Sequence, residues 1–458
     1  MKKIEIHNFG PIKDAVINIK PMLVIIGQQA SGKSTIAKLI YFFETIQSDF
    51  FSRYYQSKLE YFDITKDLII PIRSRFYEFF GSTYHLPDFE IIYYYDNDKS
   101  LKVILNDEKK IYARFSDSFF SNENDLKELR LYKKDLLKIK AELENLETKD
   151  NIPLRVSLQG QQLDKLHLFN DKINAMFNNN HNDSLFIIAG RNATVGYGTT
   201  FEDMFRQNLQ NRIVEQGKRI FVRNEQNIDE TLMLDFIQRV IRMKQLFINN
   251  GNFQGMISSS KGGKKEKLSY AHKLINHILG GQYSPSSKYG ERIVHGKQYV
   301  YLNNASSGQQ ESIRILQDAF LGIFQGNSLF RIVEEPEAHL FPEAQKATIE
   351  VLTLALNNRA DNNLIITTHS PYTLTVINNL IYASKVGQNN PQEAEKIVDK
   401  NLWLPTERVA AYILENGKAE SIIDEELGEL KAEMIDNVSK IINHEYDQLY
   451  DIEYGTEQ

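Results

Sequence analysis

Gly27-Gln28-Gln29-Ala30-Ser31-Gly32-Lys33-Ser34, GQQASGKS, lies directly between an apolar run, Leu23 to Ile26, and a helix-compatible segment, Thr35 to Phe43. Glycines at both ends let the backbone curl until consecutive N–H groups point inward, a concavity that attracts anions. Lys33 adds a mobile positive charge, and Ser34 offers a hydroxyl to a metal ion. Strand, loop and helix in this succession form a phosphate-binding loop in the context it requires. The ligand expected on Gly27, Gln28, Ala30, Ser31, Gly32, Lys33, Ser34 and Thr35 is a magnesium nucleotide.

Composition narrows the class. The chain has 458 residues, 42% of them hydrophobic, enough for a substantial core. No run approaches the roughly 20 apolar residues of a membrane span. The opening MKKIEIHNFG breaks up too soon for a secretory signal. A globular, cytoplasmic protein with no membrane partner is therefore expected. There is no cysteine, which excludes disulfides, thiol catalysis and cysteine-held metal centres, and leaves any metal to oxygen or histidine. Lys and Arg number 54 against 60 Asp and Glu, a formal net charge of −6, so the molecule as a whole carries no nucleic-acid signature, while a local basic patch stays compatible with it. The Tyr- and Phe-rich aromatic content is read as core packing.

Outward from the loop the pattern is α/β. Strands are expected at Lys3 to His7, Ala15 to Ile19 and Leu23 to Ile26. Between Glu90 and Phe115 short apolar runs split by Asn/Asp turns predict an antiparallel side sheet. From Asn122 to Thr148, apolar residues at Leu129, Tyr132, Leu136, Ile139, Leu143 and Leu146 follow a 3, 4, 3, 4, 3 spacing, and Leu166, Phe169, Ile173 and Met176 resume it after an interruption near Pro153. Either the two segments pair as an antiparallel coiled-coil hairpin or an amphipathic helix lies on the body. Helical pattern returns from Asn227 to Phe247, and KGGKKEK, Lys261 to Lys267, reads as a basic loop, solvated or touching a phosphate backbone.

Two later strands carry chemistry. LFRIVEE, Leu329 to Glu335, reads as a buried strand ending in two carboxylates; Glu334 is assigned to a metal ion and Glu335 to an attacking water, the alternative being a pair that caps the helix after Pro336. NLIITTH, Asn363 to His369, ends in polar residues at the same carboxyl edge, where open α/β sheets place their ligands, so His369 is a candidate γ-phosphate sensor. In NNASSGQQES, Asn303 to Ser312, a small-residue turn precedes a helix-like run, Ile313 to Phe324. Ser306, Ser307 and Gly308 at that helix start would form a second anion site serving another subunit's nucleotide, or else an ordinary capped helix.

P-loop, serine–glycine turn, acid pair and strand-terminal histidine, in this order, resemble ABC-type ATPase heads. EEPEAHLFP and TTHSP are similar to the bacterial branch related to SMC, RecF and OLD-family proteins, and FIIAGR (Phe186 to Arg191) with AYILENGKAESIIDEELGEL resembles stand-alone ATPases of the Septu and PARIS phage-defence systems. The resemblance implies ATP and Mg²⁺ as ligands. It matches Ser306, Gly308 and Gln309 to the signature motif, with Ser307 among its nucleotide-binding positions, Ser34 and Glu334 to the metal, Lys33, Glu335 and His369 to catalysis, and Pro336 to Leu340 to the D-loop. Glu334 stands where Asp is usual, Ser307 replaces a signature glycine, and no Q-loop glutamine is evident before Arg191. On this basis the fold class is an α/β P-loop head with a central, mostly parallel sheet, an antiparallel side sheet and a helical insertion. Residues 1–121 form the first part of the head, 122–180 the helical or coiled-coil insertion, 181–302 a helical lobe with connections, 303–400 the second part of the head, and 401–458 a strand and helix tail.

The function expected is an ATPase that dimerises, or forms a higher homo-oligomer, through its ATP sites and controls a separate effector, a nuclease or toxin. The stretch after His369 is short for a fused Toprim nuclease, and its last part, Glu407 to Tyr454, reads as strand and amphipathic helix. A RecF- or SMC-like clamp acting on DNA through the basic loop and hairpin is the alternative. A transporter subunit fits worst, given Ser307 and the long Glu44 to Leu302 insertion.

Overall fold

The sheet grows from strands of two kinds, and burial tells them apart. The computed structural model describes residues 1–56, 68–120, 123–145, 152–179, 181–196 and 228–431, together with 444 and 447–449. In β1 (Lys3–Phe9) Ile4 and Ile6 alternate with polar residues; β2 (Ile12–Asn18) is likewise half buried, and β3 (Met22–Gly27) is buried on both faces. The P-loop then opens α1 (Lys33–Gln56), followed by α2 (Ile70–Phe80) and the antiparallel run β4 (Glu90–Tyr94), β5 (Ser100–Leu105) and β6 (Ile111–Phe115). Next come α3 (Glu123–Asn145), α4 (Ile152–Met176), β7 (Asp183–Ile187), α5 (Ala193–Gly196), α6 (Ile228–Asn249), α7 (Asn252–Ser259) and α8 (Gly262–Leu279). A small sheet, β8 (Gln282–Ser286), β9 (Gly290–His295) and β10 (Gln298–Tyr301), precedes α9 (Ser307–Gln325), β11 (Leu329–Glu334), α10 (Pro342–Leu356), β12 (Asn363–Thr368), α11 (Pro371–Asn389) and α12 (Pro391–Ile397). The last strands are β13 (Val409–Glu415), β14 (Lys418–Ser421), β15 (Ile423–Asp424) and β16 (Glu429–Leu430).

Among the described residues eleven strands form one sheet in the order β6-β5-β4-β1-β2-β14-β13-β3-β12-β11-β7. Its half from β13 to β7 is parallel, so β3, β12 and β11 deliver Gly27, Thr368 and Glu334 to one edge. The side strands β4–β6 continue this sheet antiparallel through β1 rather than standing beside it. Side chains alternate across the parallel half: Leu23, Ile25, Ile332 and Ile365 enter one core with α1 and α2, while Met22, Val24, Val333 and Ile366 enter the other, with α6 to α11.

Four expectations change. KGGKKEK is not a loop: Lys261 is the N-cap of α8, whose first turns hold the remaining lysines, and the Lys264 ammonium lies 5.2 Å from the Phe324 ring. The stretch 181–302 is not only helical, since it holds the edge strand β7 and the three-stranded sheet. The strand expected in the tail is part of the head's sheet and not of a separate tail, because β13 lies parallel to the P-loop strand with Val409 to Leu414 paired on Met22 to Gly27. The helix expected beyond residue 431 lies outside the described residues, apart from 444 and 447–449. Lastly, the helix after the serine–glycine turn begins at Ser307, six residues before Ile313.

The helices α3 and α4 pair antiparallel. Lys165 bonds Asp135 at 2.6 Å and Lys172 reaches Asp125 and Glu128 at 2.6 Å each, a register in which one helix runs back along the other. Leu129, Leu136, Phe169, Ile173 and Met176 bury the lower part of the pair in the α1 core; Leu146 lies outside the described residues. Pro153 falls in the first turn of α4, where its missing N–H costs nothing. Glu44 in α1 accepts from Lys2 at 2.7 and 2.8 Å and from Asn179 at 3.1 Å. Burial alone would raise its carboxyl, but the Lys2 ammonium holds it below the usual range. Strand β1, α1 and the turn after α4 are thereby joined.

Candidate functional site

The parallel register decides where chemistry gathers. Glu334 pairs with Thr367, and Thr367 with Ile25, so the acid pair stands two strands from the P-loop strand, about 10 Å at the usual interstrand spacing. The loop curls through left-handed positions at Ala30 (φ 60°) and Gly32 (φ 105°). A side chain at residue 32 would be strained by that φ and would run into Ile12, which is why glycine stands there. Ser34 is exposed at the start of α1 and Thr35 half-buried beside it.

Lys33 lies inside the curl. Its ammonium donates to the Gly27 and Gln28 carbonyls at 2.8 Å each and lies 3.4 Å from His369 Nδ1. Burial lowers its pKa, and the charges of Glu335, Glu337 and Glu334 oppose that. On the far side His369 Nε2 is 2.9 Å from Glu335 Oε1. Lys33 can only donate, so Nδ1 is the acceptor and Nε2–H donates to Glu335. Lys33, His369 and Glu335, three residues from three separate parts of the chain, form one line of contacts across the strand ends.

Two further groups hold that line in place. Glu337 Oε1 accepts from Thr368 Oγ1 at 2.6 Å and from the His369 N–H at 2.8 Å, tying the D-loop turn to the end of β12. Arg191, fully buried, donates to the Glu334 carbonyl at 2.8 Å, the Glu335 carbonyl at 2.9 Å and the Glu311 carbonyl at 2.9 Å, and its Nε lies 3.4 Å from Glu311 Oε2. It therefore clamps the acid pair to the first turns of α9. Glu335 sits at φ 43°, unusual for a residue with a side chain, while its N–H continues the ladder to Thr367 O at 2.9 Å. The backbone is gripped on both sides, and the carboxylate turns out of the strand toward His369.

Glu334 points elsewhere. Its Oε2 accepts from Ala189 N–H at 3.1 Å, whereas Oε1 is buried with no hydrogen-bond partner among the described residues. A buried carboxylate oxygen left this way is a hard donor that suits a divalent cation or its water.

The serine–glycine turn is a complete capping box. Ser306 Oγ accepts from Gln309 N–H at 3.3 Å and Gln309 Oε1 accepts from Ser306 N–H at 3.0 Å, with Gln309 Nε2 donating to Leu279 O at 2.6 Å. Ser306 and Gln309 side chains are thus engaged within the chain. The N–H groups of Ser307 and Gly308, in the first turn, have no intrahelical partner. A Cβ at residue 308 would lie 2.5 Å from the His339 carbonyl, so only glycine lets this helix start pack against the D-loop turn. The turn abuts the acid pair's side of the site; no hydrogen bond joins it to the P-loop among the described residues.

Arg191 and Glu311 were not marked as site residues by sequence reasoning, and Glu337 only as part of the D-loop stretch Pro336 to Leu340. FIIAGR offered a signal, an arginine just past an apolar strand, but nothing in the order of residues says where that guanidinium folds. Arg191→Met is expected to lower unfolding free energy by about 3–5 kcal/mol, because it strands the buried Glu311 and two carbonyls. The urea midpoint measures this, and an unshifted midpoint would mean that the clamp adds no stability.

Among the described residues no helix is long and apolar enough to cross a membrane. No curated protein matches the chain. A family model described as AAA ATPase domain matches residues 1–374, most of the chain and all of the loop, acid pair and histidine just located. The chain belongs to this AAA ATPase domain family, and is a nucleotide-binding P-loop ATPase of α/β fold.

Proposed function

We propose that the protein is an ABC-type ATPase that closes as a dimer around ATP and thereby switches a separate effector, a nuclease or toxin, in antiviral defence. The contact line Lys33–His369–Glu335 carries the reading. It joins a phosphate-binding cation to a carboxylate through an imidazole, so occupancy of the loop is felt at the acid. The dimer rests on the start of α9, where Ser306 and Ser307 are exposed and the first-turn N–H of Ser307 is offered to an anion beyond the one the P-loop takes. The defence role rests on the likeness of FIIAGR and AYILENGKAESIIDEELGEL to Septu and PARIS ATPases.

In this mechanism the P-loop N–H groups and Lys33 hold the β- and γ-phosphates. Ser34 and the free Oε1 of Glu334 are the groups that would hold Mg²⁺, which when bound neutralises charge on the phosphate oxygens. Glu335 keeps Oε1 on His369 and presents Oε2 to water. As the water oxygen bonds to the γ-phosphorus and the bond to ADP breaks, Glu335 takes the proton. Arg191 fixes the backbone from which that carboxylate projects, and His369 holds its aim.

Light scattering tests the dimer. The chain should be monomeric without nucleotide and dimeric with Mg²⁺ and a slowly cleaved ATP analogue. A monomer under saturating analogue would remove this reading.

A further inference from the structure

The small sheet β8–β10 has one face in the core and one uncovered. Cross-strand partners share a face, and the register pairs Tyr283 with Ile293, Ile293 with Val300, Tyr299 with Val294 and Tyr301 with Arg292. Tyr283 and Ile293 are buried. Glu291, on that same inner face, accepts from Arg314 at 2.6 and 2.7 Å and from the Tyr283 hydroxyl at 2.5 Å.

The outer face alternates rings and cations. The Arg292 guanidinium lies 4.9 Å from the Tyr299 ring and 5.5 Å from the Tyr289 ring, Lys288 lies 5.0 Å from Tyr289, and Tyr299 meets Tyr301 edge to face at 5.5 Å. Tyr289 and Tyr299 are 52% exposed and Tyr301 41%. Arg292 Nε, enclosed among them, has no hydrogen-bond partner among the described residues. Soluble proteins rarely leave contiguous aromatic surface open without a ligand for it. Between Gln282 and Tyr301 the one acid, Glu291, is turned inward against Arg314, so Lys288, Arg292 and Lys297 leave the outward charge wholly cationic.

We propose that this face binds single-stranded nucleic acid, with unpaired bases stacking on Tyr289, Tyr299 and Tyr301 and phosphates meeting Lys288, Arg292 and Lys297. Flat rings interleaved with cations suit a polyanion whose bases are free to stack, whereas a duplex hides its base faces. A second copy of the chain fits poorly, since this face against itself would oppose cation to cation. The site is distinct from the nucleotide loop, yet β10 leads through the turn Leu302–Asn304 straight to the Ser306 cap.

Fluorescence anisotropy of the full chain with labelled oligothymidylate, oligouridylate and duplex DNA, each about 15 units long, tests this. One or both single strands should bind more tightly than the duplex, with a log affinity against log salt slope of about −2 for three phosphate contacts; the tighter of the two identifies DNA or RNA as the strand. Tyr299→Ala with Tyr301→Ala should weaken binding about 30-fold or more, without changing phosphate release in the absence of oligonucleotide. Arg292→Gln should flatten the salt slope by about 0.7. Lys264→Glu with Lys265→Glu should leave binding unaltered. No binding at low salt, equal binding of duplex, or a tyrosine variant that melts and binds like the parent would each overturn the proposal. Loss of binding with the Lys264 and Lys265 changes alone would move the site to α8 and overturn it too.

Discussion

Lys33→Ala is expected to abolish nucleotide binding, with affinity falling at least about a hundredfold, the equivalent of two charge-assisted hydrogen bonds. The structural reason is the company the ammonium keeps. It touches two loop carbonyls and an imidazole, and no carboxylate among the described residues lies within ion-pair distance, so its charge is not cancelled by direct contact. Desolvation lowers its pKa, and the charges of Glu335, Glu337 and Glu334 oppose that from a distance without cancelling it. Binding of a fluorescent ATP analogue to both forms measures the effect, with a thermal melt beside it because the Gly27 and Gln28 carbonyls lose their donor. A folded Lys33→Ala form that binds within threefold of the parent would show that the loop holds its ligand by backbone N–H groups alone.

Glu335→Gln separates holding from turnover. The amide keeps the side chain's size and can still accept from His369 through its carbonyl oxygen, so nucleotide affinity should change little. It cannot accept a proton from water, and phosphate release should fall by about 10²–10⁴-fold, the range of a lost general base. Parallel binding and phosphate-release assays decide it; hydrolysis at the parental rate would contradict the role given to Glu335. On the dimer mechanism the same variant should accumulate the closed, ATP-bound pair.

Much of the site was legible because it is built from local signals. GQQASGKS between strand and helix, two acids closing LFRIVEE and a histidine closing NLIITTH are each read from neighbours in sequence. Parallel buried strands then place all three at one edge. The lysines of KGGKKEK were misread because two glycines outweighed them locally, whereas packing of Leu268, Ala271 and Ile275 in the second core carries the helix through to its first turn. Strand β13 was legible as a strand but not as a neighbour of β3, since pairing across almost the whole chain leaves no mark in either segment.

By itself, then, the order of residues determined that the chain folds around a P-loop, and singled out the lysine, acids and histidine that the sheet brings to one edge, for these depend on spacing within a few turns or strands. Only the tertiary structure decided that Arg191 grips both acid-pair carbonyls and α9, that Glu335 leaves the strand at a positive φ, and that Gly308 must be bare because the His339 carbonyl presses on it. It also decided which tyrosines face out. Those contacts join residues from tens to more than a hundred positions apart, and long-range contacts are set by the packing of the whole sheet rather than by any one stretch of it.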